Sequence, residues 1–128
     1  MGTTKVFLTF DTSHEKQIRD FIERRVRLRG AAFEIVGHSL KKPTPGSLWE
    51  KTARIAISHS DFVLVIVGAH THEDEGAVEE VRMALKAGVP IIQMAGYKDR
   101  TFPAVPEAGP LHGWSWEDLQ TLLVKRKP

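Results

Sequence analysis

Ser60-Asp61-Phe62-Val63-Leu64-Val65-Ile66-Val67-Gly68 is the stretch on which the fold turns. Phe62 to Val67 is an unbroken apolar run, rich in β-branched residues and closed by a glycine. Such a run suits a strand buried on both faces, as in the middle of a parallel sheet. Three other runs flank it: Val6-Phe7-Leu8-Thr9-Phe10, Phe33-Glu34-Ile35-Val36 and Pro90-Ile91-Ile92-Gln93-Met94. The run at Phe33 is shorter and carries Glu34, which predicts an edge strand.

Helical patterns separate these runs. Thr12-Ser13-His14-Glu15 has the form of a capping box and leads into Ile18, Phe21, Ile22 and Val26 at helical spacing, with Gly30 as the stop. Ser47-Leu48-Trp49-Glu50 has the same form, ahead of Ala53, Ile55, Ala56 and Ile57. A third helix is predicted from about Gly76 to Ala87, ending at Gly88. Leu111-His112-Gly113-Trp114 suits a short fifth strand, and Ser115-Trp116-Glu117-Asp118 opens a last helix. Alternation of strand and helix predicts an α/β domain with a mainly parallel sheet of four to five strands and right-handed crossovers. Residues 41–46 and 101–110, with their prolines, read as loops, and such loops often border sites.

The chain has 128 residues, enough for one domain spanning 1–128 with its own core. It has 18 basic and 16 acidic residues, a net charge of +2, too small an excess to argue for nucleic acid. The cluster Arg24-Arg25-Val26-Arg27-Leu28-Arg29 reads as the solvated face of a helix. No cysteine is present, which excludes disulfides, zinc-thiolate sites and thiol nucleophiles. No apolar leader opens the sequence and no run is long enough to span a bilayer, so the expectation is a cytoplasmic protein without membrane contact.

Several chemistries fail on missing residues. There is no G-x-G-x-x-G after the first strand, no G-x-x-x-x-G-K-[ST] and no G-x-S-x-G. A phosphoacceptor receiver domain needs an acidic pair after the first strand and an aspartate ending the third; here stand a lone Asp11 and Val67-Gly68-Ala69. His70-Thr71-His72, followed by Glu73, Asp74 and Glu75, raises the question of a metal. Carboxylates at a helix start also complement its dipole, and the expectation is a pocket-lining loop with no metal.

Glu79 and Glu80 are separated by a helical wheel. Ala77, Val81, Ala84 and Leu85 form one apolar arc, and Glu79 falls opposite it with Arg82, Met83 and Lys86. Glu80 falls at the rim of the buried arc, near the carboxyl ends of the strands, where ligands of open α/β sheets bind. A carboxylate there is partly desolvated and is a candidate catalytic group.

The ordered set Val6-Phe7-Leu8-Thr9-Phe10-Asp11, the loop after Ser39, Ser60 to Gly68, Glu80-Val81-x-x-Ala84-Leu85 and Gly88-Val89-Pro90-Ile91-Ile92 resembles a TIR domain. It looks most like the bacterial TIR-like group that includes the Thoeris anti-phage signalling protein. The resemblance implies a flavodoxin-like three-layer sandwich with helices on both faces. It implies an enzyme that cleaves the nicotinamide N-glycosidic bond of NAD, as substrate and not as cofactor, through a glutamate in a motif like W-x-x-x-E-[IL]-x-x-A. That glutamate corresponds to Glu80, with Gly76 in the tryptophan place and Trp49 as another aromatic at hand. Phe10, Asp11 and the loop from Ser39 to Trp49 are implied to border the pocket. The product implied is a cyclic ADP-ribose isomer or related conjugate that activates a separate effector, with a phage-derived trigger and self-assembly as further partners.

A second resemblance lies in the same segment. Asp74-x-Gly76-x-x-x-Glu80-x-x-x-Ala84 is similar to the D-x-G-[TS]-x-x-E-x-G-x-A of nucleoside 2-deoxyribosyltransferases, with Ala77 and Arg82 as departures. Both families set a carboxylate beside an N-glycosidic bond. A TIR adaptor without enzyme activity is the alternative from another class.

Overall fold

The computed structural model describes residues 4–29, 33–39, 48–98, 100 and 102–123. Five strands, β1 (Thr4–Thr9), β2 (Phe33–His38), β3 (Phe62–Val67), β4 (Ile91–Ala95) and β5 (Leu111–His112), form one sheet in the order β2-β1-β3-β4-β5. Every neighbouring pair is parallel. The Phe62 run is the central strand and the Phe33 run lies at the edge, as their apolar content dictates.

The side chains of β3 alternate between two faces, and all are buried from Val63 to Val67. Val63, Val65 and Val67 join Phe7, Trp49, Ala53, Ile57, Val81, Met83 and Ala84 in one core cluster. Leu64 and Ile66 join Val6, Leu8, Ile22, Met94, Leu119 and Leu123 in another. Helices α2 (Leu48–Ser58) and α3 (Glu75–Ala87) therefore cover one face, and α1 (Lys16–Arg29) and α4 (Trp116–Leu122) the other. This is the flavodoxin-like three-layer arrangement. Each large apolar side chain so buried contributes about 1.5–3 kcal/mol.

Several local expectations are corrected. The first capping box does not form: α1 begins at Lys16, and the Glu15 carboxylate instead accepts from the Tyr97 hydroxyl at 2.6 Å. Ser47 of the second box, Gly30 and residues 41–46 lie outside the described residues. Ser115 does cap α4, accepting from the Asp118 N–H. Gly88 closes α3 in the left-handed conformation that glycine permits. On α3, Met83 is buried and Leu85 is 44% exposed, the reverse of the wheel. The cause is α2, which packs beside α3 and covers the flank where Met83 lies. In the arginine cluster, Arg25 is not purely solvated; its guanidinium lies 5.0 Å from the Trp116 ring centroid.

At the edge of the sheet, the register of β1 on β2 slips between Val6 and Phe7, so that Phe7 faces Gly37. A side chain at Gly37 would press on the Phe7 ring. The slip sets His38 beside Leu8, and Ser39 N–H donates to Leu8 C=O at 2.9 Å near the carboxyl end of β1.

Candidate functional site

The crossovers diverge between β1 and β3. Helix α1 leaves β1 toward one face and α3 follows β3 on the other, and the crevice left at their carboxyl ends is the usual ligand position in such sheets. Around it converge the β1 end (Thr9 to Asp11), His14, Ser39, Trp49, the turn from Gly68 to Asp74, and Glu80.

Glu80 is 1% exposed, deeper than the rim position the wheel assigned. It stands in the second turn of α3, which Asp74 caps by accepting from the Ala77 N–H at 2.8 Å. Ser39 Oγ donates to Glu80 Oε1 at 2.5 Å. The same Oγ accepts the Phe10 N–H at 3.1 Å, so its proton is free to point only at the carboxyl. Glu80 Oε2 is buried with no hydrogen-bond partner among the described residues. Burial lifts the Glu80 carboxyl to about 8, against the opposing pull of the Ser39 and Thr9 hydroxyls, and the Asp74 charge adds to the rise. Thr9 Oγ1, buried as well, favours the charged form without reaching a hydrogen bond of normal geometry. Asp74 is also shifted upward, chiefly by burial, with the Ala77 N–H opposing.

Glu80 lines a cavity of about 350 Å³ between β2 and α2. Phe7, Ile35, Gly37, Trp49, Ala53 and Ala56 form its apolar walls, and Glu23, His38 and Thr52 contribute polar groups. Trp49 is 7% exposed. A Cβ on Gly76 would lie 3.8 Å from Trp49 Cζ2, so the indole occupies the space over the position where the motif has its own tryptophan.

Of the residues singled out from sequence, Glu80, Ser39, Trp49 and Gly76 come together. Ser39 reaches the carboxyl of Glu80 and not open space. Phe10 contributes its backbone N–H, while its ring lies in the core against α1, with the Arg19 guanidinium 6.0 Å from its centroid. Asp11 is 1% exposed; Oδ1 accepts the Ser13 N–H at 2.9 Å and Oδ2 meets His14 Nδ1 at 2.6 Å. The rings of His70 and His72 take different partners: His70 stacks on His14 with centroids 4.4 Å apart, and His72 pairs with Glu73 at 3.2 Å. Among the described residues no three His, Asp or Glu side chains are grouped to hold a metal.

Sequence reasoning missed Thr9, His14 and the β2 and α2 residues that wall the cavity. Asp11-x-x-His14 was the available signal for His14, since a turn after a strand brings such a pair together. The cavity walls gave none, because they depend on how α2 leans on β2.

No protein-family model matches the chain, and no curated protein matches it in sequence. Among solved structures it is similar to the TIR domain of the Toll-related receptor TRR-2 from the lower metazoan Hydra magnipapillata. The TM-score is 0.62 over 92% of this chain and 90% of that one, at 14% sequence identity. A likeness of that kind establishes the TIR-type fold. No helix among the described residues is long and apolar enough to cross a membrane.

Proposed function

We propose that this chain, a single TIR-like domain over residues 1–128, cleaves the N-glycosidic bond between nicotinamide and ribose in NAD, with Glu80 as the catalytic carboxylate. The observation that carries the proposal is Glu80 itself: buried, held at one oxygen by Ser39, and with the other oxygen unpartnered in the wall of a cavity. A buried carboxyl without a full set of partners costs stability, and such groups concentrate at functional sites.

The cavity, at about 350 Å³, lies at the small end of ligand pockets and suits the nicotinamide riboside half of the dinucleotide. Trp49 supplies an aromatic wall for the nicotinamide ring. The cationic ring, once beside Glu80, favours the ionised carboxylate that burial disfavours. Nicotinamide leaves as a neutral molecule, so its departure needs no strong acid. As the bond breaks, charge develops at the ribose anomeric carbon, and the fixed carboxylate stabilises it or bonds to it transiently. Ser39 keeps one carboxylate oxygen in place, so little reorganisation accompanies the step.

In the full reading, the product is a cyclic ADP-ribose isomer or related conjugate that signals to a separate effector in anti-phage defence. Mass spectrometry of NAD with concentrated protein, with and without lysate of infected cells, tests it. Wild type should release nicotinamide and an ADP-ribose-type product, and Glu80→Gln should release neither. Retained turnover in Glu80→Gln removes Glu80 from the chemistry. An adaptor role is favoured by one observation, the exposure of Ile55 (49%) and Leu85 (44%) on α2 and α3. NAD intact under every condition supports that role, and deoxynucleosides are then the next substrates to try.

A further inference from the structure

Beside Glu80 stands a second pair of groups that its chemistry does not use. Asp11 lies just beyond the end of β1 and is buried; one of its oxygens is pinned by the Ser13 N–H and the other bonds His14 Nδ1 at 2.6 Å. His14 is 54% exposed at its side chain, and its ring face rests on His70. With Nδ1 engaged and the ring plane fixed, Nε2 is the nitrogen left for a ligand, and it has no other partner among the described residues. A buried carboxylate that fixes the tautomer and orientation of a solvent-facing imidazole is the arrangement that makes histidine an effective proton acceptor.

The pair stands at the same carboxyl end of the sheet as Glu80, outside the residues that line its cavity, and is linked to it through Ser39, whose Oγ takes the Phe10 N–H and donates to Glu80. Asp74 caps α3, feels the charges of both Asp11 and His14, and in turn acts on Glu80. Asp11 and Asp74 make the setting acidic, which opposes a role for the two histidines as an anion cradle.

Resting on the NAD-cleaving reading, we propose that Asp11 and His14 form the base that activates the acceptor, with His14 Nε2 taking the proton from the hydroxyl that captures the ribosyl centre. The bond from the anomeric carbon to the nicotinamide nitrogen breaks, and its electron pair leaves with nicotinamide. A lone pair on the acceptor oxygen, of water or of a hydroxyl within the ADP-ribose fragment, forms the new bond to that carbon. The acceptor proton moves to His14 Nε2, Asp11 balances the resulting imidazolium, and the proton then passes to solvent. Nothing is oxidised or reduced. Glu80 acts on bond cleavage and His14 on capture, so the two residues separate by acceptor.

A neutral pyridine base in place of the hydroxyl has no proton to lose, so its transfer to the ribose needs Glu80 but not His14. The test compares wild type, His14→Asn, His14→Gln and Glu80→Gln in two assays: hydrolysis or cyclisation of NAD, and exchange of its nicotinamide for isotopically labelled nicotinamide. Both His14 variants should lose about 100-fold or more of the first activity, as befits loss of a general base, and keep exchange at the wild-type rate. Glu80→Gln should lose both. Full hydrolysis in the His14 variants, with Glu80→Gln inert, overturns the base and leaves the NAD reading standing. Equal loss of both activities in the His14 variants also overturns it, since that marks a structural role. Wild type inert in both assays overturns the NAD reading and the base with it.

Discussion

Replacing Glu80 by Gln should make the protein more stable as pH rises, while abolishing its proposed activity. In the folded chain burial pushes the carboxyl up to about 8, from an ordinary value of 4.5. The folded state therefore holds a proton that the unfolded state has already released between these values. The stability this proton lends is fully present below the unfolded value and is lost as pH rises through the folded one. At about 1.4 kcal/mol per unit, the whole span amounts to about 5 kcal/mol. Between about pH 5 and about pH 9 the wild type should lose roughly 4 kcal/mol of that. Glutamine keeps the shape of the protonated carboxyl and still accepts the Ser39 hydroxyl, but it cannot ionise. The other titrating groups are common to both proteins and cancel in the comparison. Urea unfolding followed by tryptophan fluorescence at both ends of the range measures the difference. The variant should match the wild type at the acid end and exceed it by several kcal/mol at the alkaline end, a melting-temperature gap of about 10 °C or more. Parallel stability curves for the two proteins would refute the claim that Glu80 is buried and uncompensated.

Activity should show the same group from the other side. The ionised carboxylate is the working form, so kcat/KM for NAD should rise with pH to a plateau above about 8, since that ratio reports the free enzyme. Ser39→Ala removes a hydroxyl that favours the charged form, so the rise should move to higher pH; an unmoved profile would sink the positioning role of Ser39. Trp49→Ala should weaken NAD binding and cost about 3–5 kcal/mol of stability, read by calorimetry and unfolding respectively. Gly68→Ala would set its Cβ against Glu15 Oε1; the carboxylate must move and its bond to Tyr97 be lost, at about 1–3 kcal/mol in unfolding. Gln93→Leu leaves the buried Val105 N–H without its partner and removes the amide donor to Val105 and Gly109 C=O. A cost of about 1–3 kcal/mol for the orphaned donor, with faster hydrogen exchange at Val105, should follow.

The central and edge strands were legible because they rest on local pattern. An apolar run flanked by helices at 3.6 spacing has few ways to bury itself, and the lone Glu34 sent its strand to the edge. Glu80 was legible for the same reason, since a helix fixes which residues share an arc. What the wheel could not give was depth: Glu80 is fully buried, Met83 covered and Leu85 exposed, because α2 leans on one flank of α3 and leaves the other open. The failed capping box at Thr12 has a similar cause. Glu15 has a stronger partner in Tyr97, 82 residues away in sequence, and local chemistry gives way to it.

The sequence by itself determined the alternation of strands and helices, the central and the edge strand, and the presence of a carboxylate near the carboxyl ends of the strands, since these follow from periodicity. Only the tertiary structure decided what that carboxylate is: held by Ser39 from the far end of β2, shaded by Trp49 from α2, and neighbour to an aspartate–histidine pair from the β1 loop. Those groups meet because a slip in the edge register and the divergence of two crossovers bring distant segments within a few ångströms. Burial and charge, which set the chemistry of Glu80, depend on that convergence and are not properties of any one segment.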